Sequence, residues 1–482
     1  MTQSARPKAQ RPLRGATRLG APLAVCVAAV VVILFYGSVA CRRAPTQPNV
    51  ILISIDCLNE RQLETAFAKR YAPHLAALAA ESLVFTRAHA QAPWTTPSHM
   101  SMLTGLYPHE HGRDIPWRIM LKSNATYDRE PTHPTLASRL AAAGYETMGV
   151  VGKGSTSAQY GLARGFDQYY EIKRNADGSD IEEALAAVRK WLTQRQPRPF
   201  FLFFHTYDLH HPLPRGVESA RHVITRIDTH LGALFAELDR CGARRSSLIF
   251  VTGDHGSRMR EVPGRCYTHG AGHYEENLRV PLVVKLPQSS LKGSSDALVR
   301  HIDILPTALA VVGQERGDYR GQGVSLLDIF AGRQRPDHSF SAADGRCAER
   351  YAVLTERYKY IFTPHTEGQT ALRQNPLFYD HNCPPACLEL PPEEELFDLA
   401  SDPEEQTNLL APGAPRSAEV IVASRALRLI LERDRALPPQ YAKRAPETAP
   451  PADPTVDEAL KALGYIEDSP TPTPTPKPKE HP

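Results

Sequence analysis

Apolar and polar positions alternate along this chain between two textures. Short, nearly continuous apolar runs occur at Asn49 to Ile55, Thr147 to Val151, Phe200 to Phe204 and Ser247 to Val251. Runs of this kind predict strands covered on both faces, as in a parallel sheet. Between them, apolar residues recur every three or four positions over Pro73 to Ser82, Thr135 to Ala143, Ile181 to Leu192 and Val223 to Leu238. These stretches predict helices, the second stopped by Gly144. The regular alternation predicts an α/β fold with helices on both faces of a parallel sheet.

After about Gly332 the runs shorten. Ala352 to Thr355, Lys359 to Phe362 and Glu395 to Asp398 predict short strands, and Ala418 to Arg435 a last helix. The expected division is a main body over 48–335 and a smaller C-terminal α+β subdomain over 336–436. A Pro-rich connector with a short helix at Val456 to Leu463 comes next over 437–466, then a Pro/Thr tail over 467–482. Such a tail has nothing to pack and is expected to be extended.

The N-terminus changes the picture. Residues 1–19 form a basic arm with five Lys/Arg, and Gly20 to Ala40 is uncharged and rich in Val, Ala, Ile and Leu. An apolar run of this length can cross a bilayer core of about 30 Å as a helix. The basic flank keeps the arm cytoplasmic and places the body outside, at the cell envelope. Three fates stay open for 20–43: a retained membrane anchor, a cleaved secretory signal, or a lipoprotein signal with Cys41 following Ser38-Val39-Ala40.

Seven of the 56 Lys/Arg lie in residues 1–43, which hold no Asp or Glu, leaving 49 basic against 53 acidic residues downstream. That balance excludes a nucleic-acid footprint on the body. Besides Cys26 and Cys41, six cysteines remain: Cys57, Cys241, Cys266, Cys347, Cys383 and Cys387. In an exported body they are compatible with disulfides of undetermined pairing. The Cys383–Cys387 pair has no second pair at zinc spacing, so disulfide or buried thiol is preferred to a metal knuckle.

In an open α/β sheet, functional groups gather beyond the carboxyl ends of the strands. Asp56 follows the first strand, His205, Asp208 and His210 follow the third, and Asp254-His255 follow the fourth. Each alone is commonly a cap or turn residue. Together they bring two carboxylates and an imidazole to one sheet edge, a donor set for a divalent cation.

Seven segments in order resemble the sulfatase family of the alkaline phosphatase superfamily, over Asn49 to Ile466. They are Asn49 to Asp56; Thr95-Thr-Pro-Ser-His99 running into Leu103-Thr-Gly105 and Tyr107-Pro-His-Glu-His-Gly112; Phe204 to Pro212; Val251 to Gly256; His269-Gly with Tyr274-Glu-Glu and Arg279-Val-Pro-Leu282; Ile302 to Thr307; and Glu395-Leu-Phe-Asp-Leu with Asp402-Pro-Glu-Glu405. The resemblance implies an alkaline-phosphatase-like mixed, mostly parallel sheet sandwiched by helices. It also implies one divalent metal ion held by Asp56, Asp254 and His255 with Thr95 beside it. The ion is Ca²⁺ by family analogy, with Mn²⁺ or Zn²⁺ admitted by the imidazole. His210 and His269 are then the candidates to hold substrate oxygens or protonate the leaving group, and His111 a further one.

The chain departs from the family pattern in several places. Thr95 stands where the family has the Cys or Ser that becomes formylglycine, an aldehyde Thr cannot form. His99 replaces an Arg, Cys57 the second acid, and His255 an Asn that is common there. Helix capping is the plain alternative for Thr96 and Ser98. The expectation is a metal-activated Thr95 nucleophile cleaving or transferring a sulfuryl or phosphoryl group. The substrate is a sulfate or phosphate ester, an envelope glycan or lipid among the candidates. The opposing expectation is an inactive sulfatase-like protein that binds anionic glycans or lipids. Oligomeric state is not legible.

Overall fold

The computed structural model describes residues 47–112, 133–175, 179–210, 217–257, 270, 272–317, 319–344, 349–365 and 392–437. The chain divides into two units, Met1–Thr46 and Gln47–Pro482, and all the described residues belong to the second. Among them no helix is long and apolar enough to cross a membrane. The segment 20–43, the helix expected at 456–463 and the tail lie outside the described residues.

Eight strands form one sheet: β1 (Asn49–Ile55), β2 (Leu83–His89), β3 (Glu146–Gly152), β4 (Gln168–Ile172), β5 (Phe200–Thr206), β6 (Ser247–Gly253), β7 (Arg279–Lys285) and β8 (Gly293–Arg300). Their order is β4-β3-β5-β1-β6-β7-β2-β8. Only β7 runs antiparallel to its neighbours; the other pairings are parallel. The sheet is mixed and mostly parallel, flanked by helices.

The continuous apolar runs follow from coverage on both faces. Val50, Leu52, Phe201, Phe203, Leu248 and Phe250 enter one core. Ile51, Ile53, Phe200, Leu202, Phe204, Ile249 and Val251 enter the other. The helices α1 (Pro73–Ala80), α2 (Thr95–Thr104), α3 (Leu136–Ala142), α4 (Ile181–Gln194) and α5 (Val217–Arg240) supply the covering layers. The stripe Ala220, Ile224, Ile227, Leu231, Leu234 and Leu238 carries α5 beyond the expected 223–238.

Four strands escape a simple apolar pattern. β4 and β8 are sheet edges with exposed positions. β2 alternates, carrying Thr86 and Arg87 between buried residues. β7 contains Pro281, which lacks the N–H a ladder needs. The β2–β7 register shifts between Phe85 and Ala88, where Pro281 lies on the partner strand, so an irregularity absorbs it.

The second sheet is antiparallel, β12-β11-β10-β9, from Ser339–Asp344 (β9), Glu349–Leu354 (β10), Tyr358–Phe362 (β11) and Glu394–Asp398 (β12). The helix α6 (Ala418–Arg435) is capped by the Ser417 hydroxyl accepting from Val420 N–H at 3.2 Å. Leu427, Ile430 and Leu431 pack from it with Phe340, Val353 and Tyr360, and with Tyr107 and Ile302 from the larger layer. Of the six body cysteines, Cys57 and Cys241 carry no disulfide; the other four lie outside the described residues.

Candidate metal centre and nucleophile

β1 and β6 are hydrogen-bonded neighbours, so the residues after their carboxyl ends, Asp56 and Asp254, come together. Cys57 turns the chain with φ of 62°, a left-handed conformation costly for a residue with a Cβ. In return its N–H reaches Asp254 Oδ1 at 3.1 Å, and His255 N–H binds the same oxygen at 2.8 Å. Gly253 permits this approach: a Cβ there would sit 2.0 Å from the Leu58 carbonyl oxygen.

With Oδ1 held twice, Asp254 Oδ2 has no hydrogen-bond partner, and neither does Asp56 Oδ1. His255 Nδ1 donates to the Gly256 carbonyl at 2.9 Å, because a carbonyl can only accept. Its Nε2 lone pair therefore faces Asp254 Oδ2 at 3.4 Å and Asp56 Oδ1 at 3.9 Å. Fixing one imidazole nitrogen so that the other can ligate is a usual support for a metal site.

Thr95 opens α2, and its hydroxyl lies 3.2 Å from Asp56 Oδ2 and 3.5 Å from His255 Nε2. His99 braces this turn: Nδ1 donates to the Thr95 carbonyl at 2.8 Å, and Nε2 accepts from Ser54 on β1 at 2.9 Å. Neither Thr96 nor Ser98 caps the helix. Thr96 donates to the Ser155 carbonyl at 2.6 Å and Ser98 to the Asp254 carbonyl, tying the helix start to the sheet edge. His111 Nε2 faces Ser101 Oγ at 3.1 Å and the Pro97 carbonyl at 3.2 Å, so its observed contacts serve the helix rather than the carboxylates.

Both carboxylates are fully buried. Burial and the neighbouring Asp56 push the Asp254 carboxyl up to about 7. Burial would raise Asp56 as well, but the imidazoles of His210, His255 and His205 hold it well below the usual range. His210 thus stands close enough to act on Asp56, its ring packed on Tyr207 at 5.6 Å between centroids. His269 lies outside the described residues. Asp208 is drawn away: it binds Ser179 and the N–H groups of Asp180 and Ile181 at the start of α4, and Arg226 of α5.

Sequence reasoning placed His205 at the sheet edge but gave it no role. It is the penultimate residue of β5 and fully buried, with Nε2 3.6 Å from Asp56 Oδ2. Its only signal was a polar residue closing an aromatic strand. Two buried carboxylates with partnerless oxygens, an imidazole lone pair and a hydroxyl fit a divalent cation; Asp56, Cys57 and His255 offer ligand atoms within 4.8 Å of one another, as do His99, His205 and Asp254.

A family model described as Sulfatase matches residues 48–314, and one described as N-sulphoglucosamine sulphohydrolase, C-terminal, matches 271–374. The chain belongs to the sulfatase family. It is 26% identical to arylsulfatase A of Bos taurus over 454 residues, covering 80% of this chain and 88% of that one. In fold it resembles a structure solved in complex with its substrate D-glucosamine-2-N,6-O-disulfate: TM-score 0.62, 16% identity, 83% of this chain and 100% of that one. It is similarly close to the phosphonate monoester hydrolase of Silicibacter pomeroyi: TM-score 0.57, 19% identity, 81% of this chain and 96% of that one. Family and fold together make this sulfatase-family chain a sulfatase-like ester hydrolase.

Proposed function

We propose that the chain cleaves sulfuryl or phosphoryl esters, or transfers the group, with Thr95 as nucleophile and without formylglycine. The observation carrying this reading is the Thr95 hydroxyl set 3.2 Å from Asp56 Oδ2 and 3.5 Å from His255 Nε2. A divalent cation held by Asp56, Asp254 and His255 beside Thr95 supplies acidification of that hydroxyl and neutralises charge on the ester oxygens. The imidazole among the donors favours Mn²⁺ or Zn²⁺ over the family's Ca²⁺.

The remaining work falls to the chain's own groups. The Asp56 carboxylate already accepts the Thr95 hydroxyl hydrogen bond, so the proton has a destination as the oxygen attacks. The bond from Thr95 Oγ1 to sulfur or phosphorus forms as the bond to the leaving oxygen breaks, and His210 or His269 returns a proton to that oxygen. Thr95 is the first residue of α2, so the positive end of that helix lies at the nucleophile and favours negative charge there. Water, or an acceptor hydroxyl, then gives its proton to that histidine and attacks the same atom as the bond to Thr95 Oγ1 breaks, and Asp56 returns its proton to Thr95.

A formylglycine hydrate expels sulfate with its second hydroxyl; Thr95 has one. Its adduct needs attack at the central atom, which favours phosphomonoesters, phosphodiesters or phosphonates, whereas descent favours sulfate esters. The disulfated glucosamine and phosphonate monoester hydrolase relatives support keeping both. The basic arm and apolar segment before residue 44 support an extracytoplasmic body acting on envelope glycans or lipids.

The test is an assay of the full-length chain, purified in detergent, against sulfate esters, phosphomonoesters, phosphodiesters and phosphonates. Turnover lost in Thr95→Ala supports the reading. Turnover that survives Thr95→Ala overturns it, and absence of any turnover by metal-loaded wild type returns the chain to an anion-binding role.

A further inference from the structure

His205 sits on β5 in register with Ser54 of β1, two residues before Asp56. No part of it is exposed, and neither ring nitrogen has a hydrogen-bond partner among the described residues. Both nitrogens of a buried imidazole are polar, and leaving them unsatisfied is destabilising. Native interiors rarely tolerate that without a ligand or an ordered water. Its packed neighbours among the described residues are rings: His99 and Tyr207 meet it edge-on at 4.9 and 4.6 Å between centroids. His99 is not equivalent, since both of its nitrogens are committed to Thr95 and Ser54.

Among the described residues, the carboxylates of Asp56, Asp254 and Asp180 lie close enough to His205 to interact with its charge. Nε2 stands 3.6 Å from Asp56 Oδ2, too far for a hydrogen bond, and one ligand atom each of His205 and Asp254 lie within 4.8 Å. Two donors bonded at about 2.0–2.2 Å to one tetrahedral Zn²⁺ stand ~3.4 Å apart. The separations among these groups span that value: Thr95 to Asp56 at 3.2 Å, His255 to Asp254 at 3.4 Å, His205 to Asp56 at 3.6 Å and His255 to Asp56 at 3.9 Å.

We propose that His205 is a second imidazole donor to the cation site, making it a two-nitrogen, two-carboxylate centre selective for Zn²⁺ or Mn²⁺ over Ca²⁺. This rests on the cation site of the proposed function but not on Thr95 chemistry. A second nitrogen donor raises affinity for borderline transition ions far more than for Ca²⁺, which prefers oxygen. It also gives an otherwise orphaned buried group a partner.

The experiment is Zn K-edge EXAFS on the full-length chain loaded with Zn²⁺, with wild type and His205→Gln, together with chelator competition. Wild type is expected to show two imidazoles and His205→Gln one. The Zn²⁺ affinity of His205→Gln should fall about 10–100-fold, the loss typical when a metal site's support is removed. A single imidazole in wild type overturns the proposal whether or not the variant folds. So does a count or affinity unchanged by His205→Gln, or wild type that binds Ca²⁺ more tightly than Zn²⁺. Two imidazoles without ester turnover would leave His205 a ligand and remove the Thr95 reading. One imidazole with turnover lost in Thr95→Ala would do the reverse.

Discussion

Two regions of this molecule bury histidine against carboxylates, and they are built to opposite ends. Where α6 docks on the second sheet, His338 Nδ1 meets Asp337 Oδ1 at 2.7 Å and Nε2 meets Asp434 Oδ2 at 2.6 Å, while Arg433 reaches Asp434 at 3.1 Å. The charges are closed by the protein itself, and the two aspartates raise the His338 imidazole to about 9 despite its burial. At the carboxyl ends of β1, β5 and β6 the same residue types leave Asp56 Oδ1, Asp254 Oδ2 and both His205 nitrogens without partners. There two acids face each other, and burial with Asp56 raises Asp254 to about 7. A satisfied buried pair is costly to break; an unsatisfied one is open to a ligand.

The largest expected effect breaks the open region. Thr95→Ala should lower kcat/KM by at least about 10⁴-fold, as loss of a nucleophile can, with the secondary structure unchanged by circular dichroism. Equal turnover in the variant would remove the contrast, because the pocket would no longer be a reaction site.

Next comes the closed region. His338→Ala removes the imidazolium from buried Asp434 and half-buried Asp337, leaving Arg433 on Asp434, and should cost about 3 kcal/mol in chemical denaturation. Metal content should stay at the wild-type level, since none of the proposed ligands is touched. A variant that loses metal but keeps its stability would invert the assignment of the two regions.

The pH dependence sharpens the same point. His338 is protonated more readily folded than unfolded, so its contribution is fully present below about 6.5 and lost as pH rises through about 9. The loss is on the order of 3 kcal/mol if the whole shift is realised. Denaturation midpoints for wild type should fall across that window, and the slope should flatten in His338→Ala. A parallel decline in both proteins would show that another group controls it.

The smallest effect separates helix support from chemistry. His111→Ala removes contacts to Ser101 and the Pro97 carbonyl. It should lower kcat by about 10-fold, the low end for a supporting residue, with metal affinity unchanged. A fall approaching that of Thr95→Ala would place His111 among the reacting groups after all.

Much of the fold is written in local pattern. The doubly covered strands β1, β3, β5 and β6 are apolar at nearly every position, so both their existence and their parallel packing were legible. The strands that resisted, β2, β4, β7 and β8, alternate, line an edge or carry Pro281, and only their neighbours make them strands. Asp56, Thr95, Asp254 and His255 could be named because motif order and strand-end position are properties of the chain itself. The amino-acid order alone also excluded formylglycine, since Thr at position 95 cannot yield the aldehyde.

What the order of residues could not decide is which polar groups are left without partners. His99, His111, His205 and His338 look alike in one dimension. Only the fold ties His99 to Thr95 and Ser54, sets His111 against α2, closes His338 with two aspartates, and leaves His205 aimed at Asp56. Hydrogen-bond satisfaction depends on what long-range pairing brings within about 3 Å, and no local pattern encodes that distance.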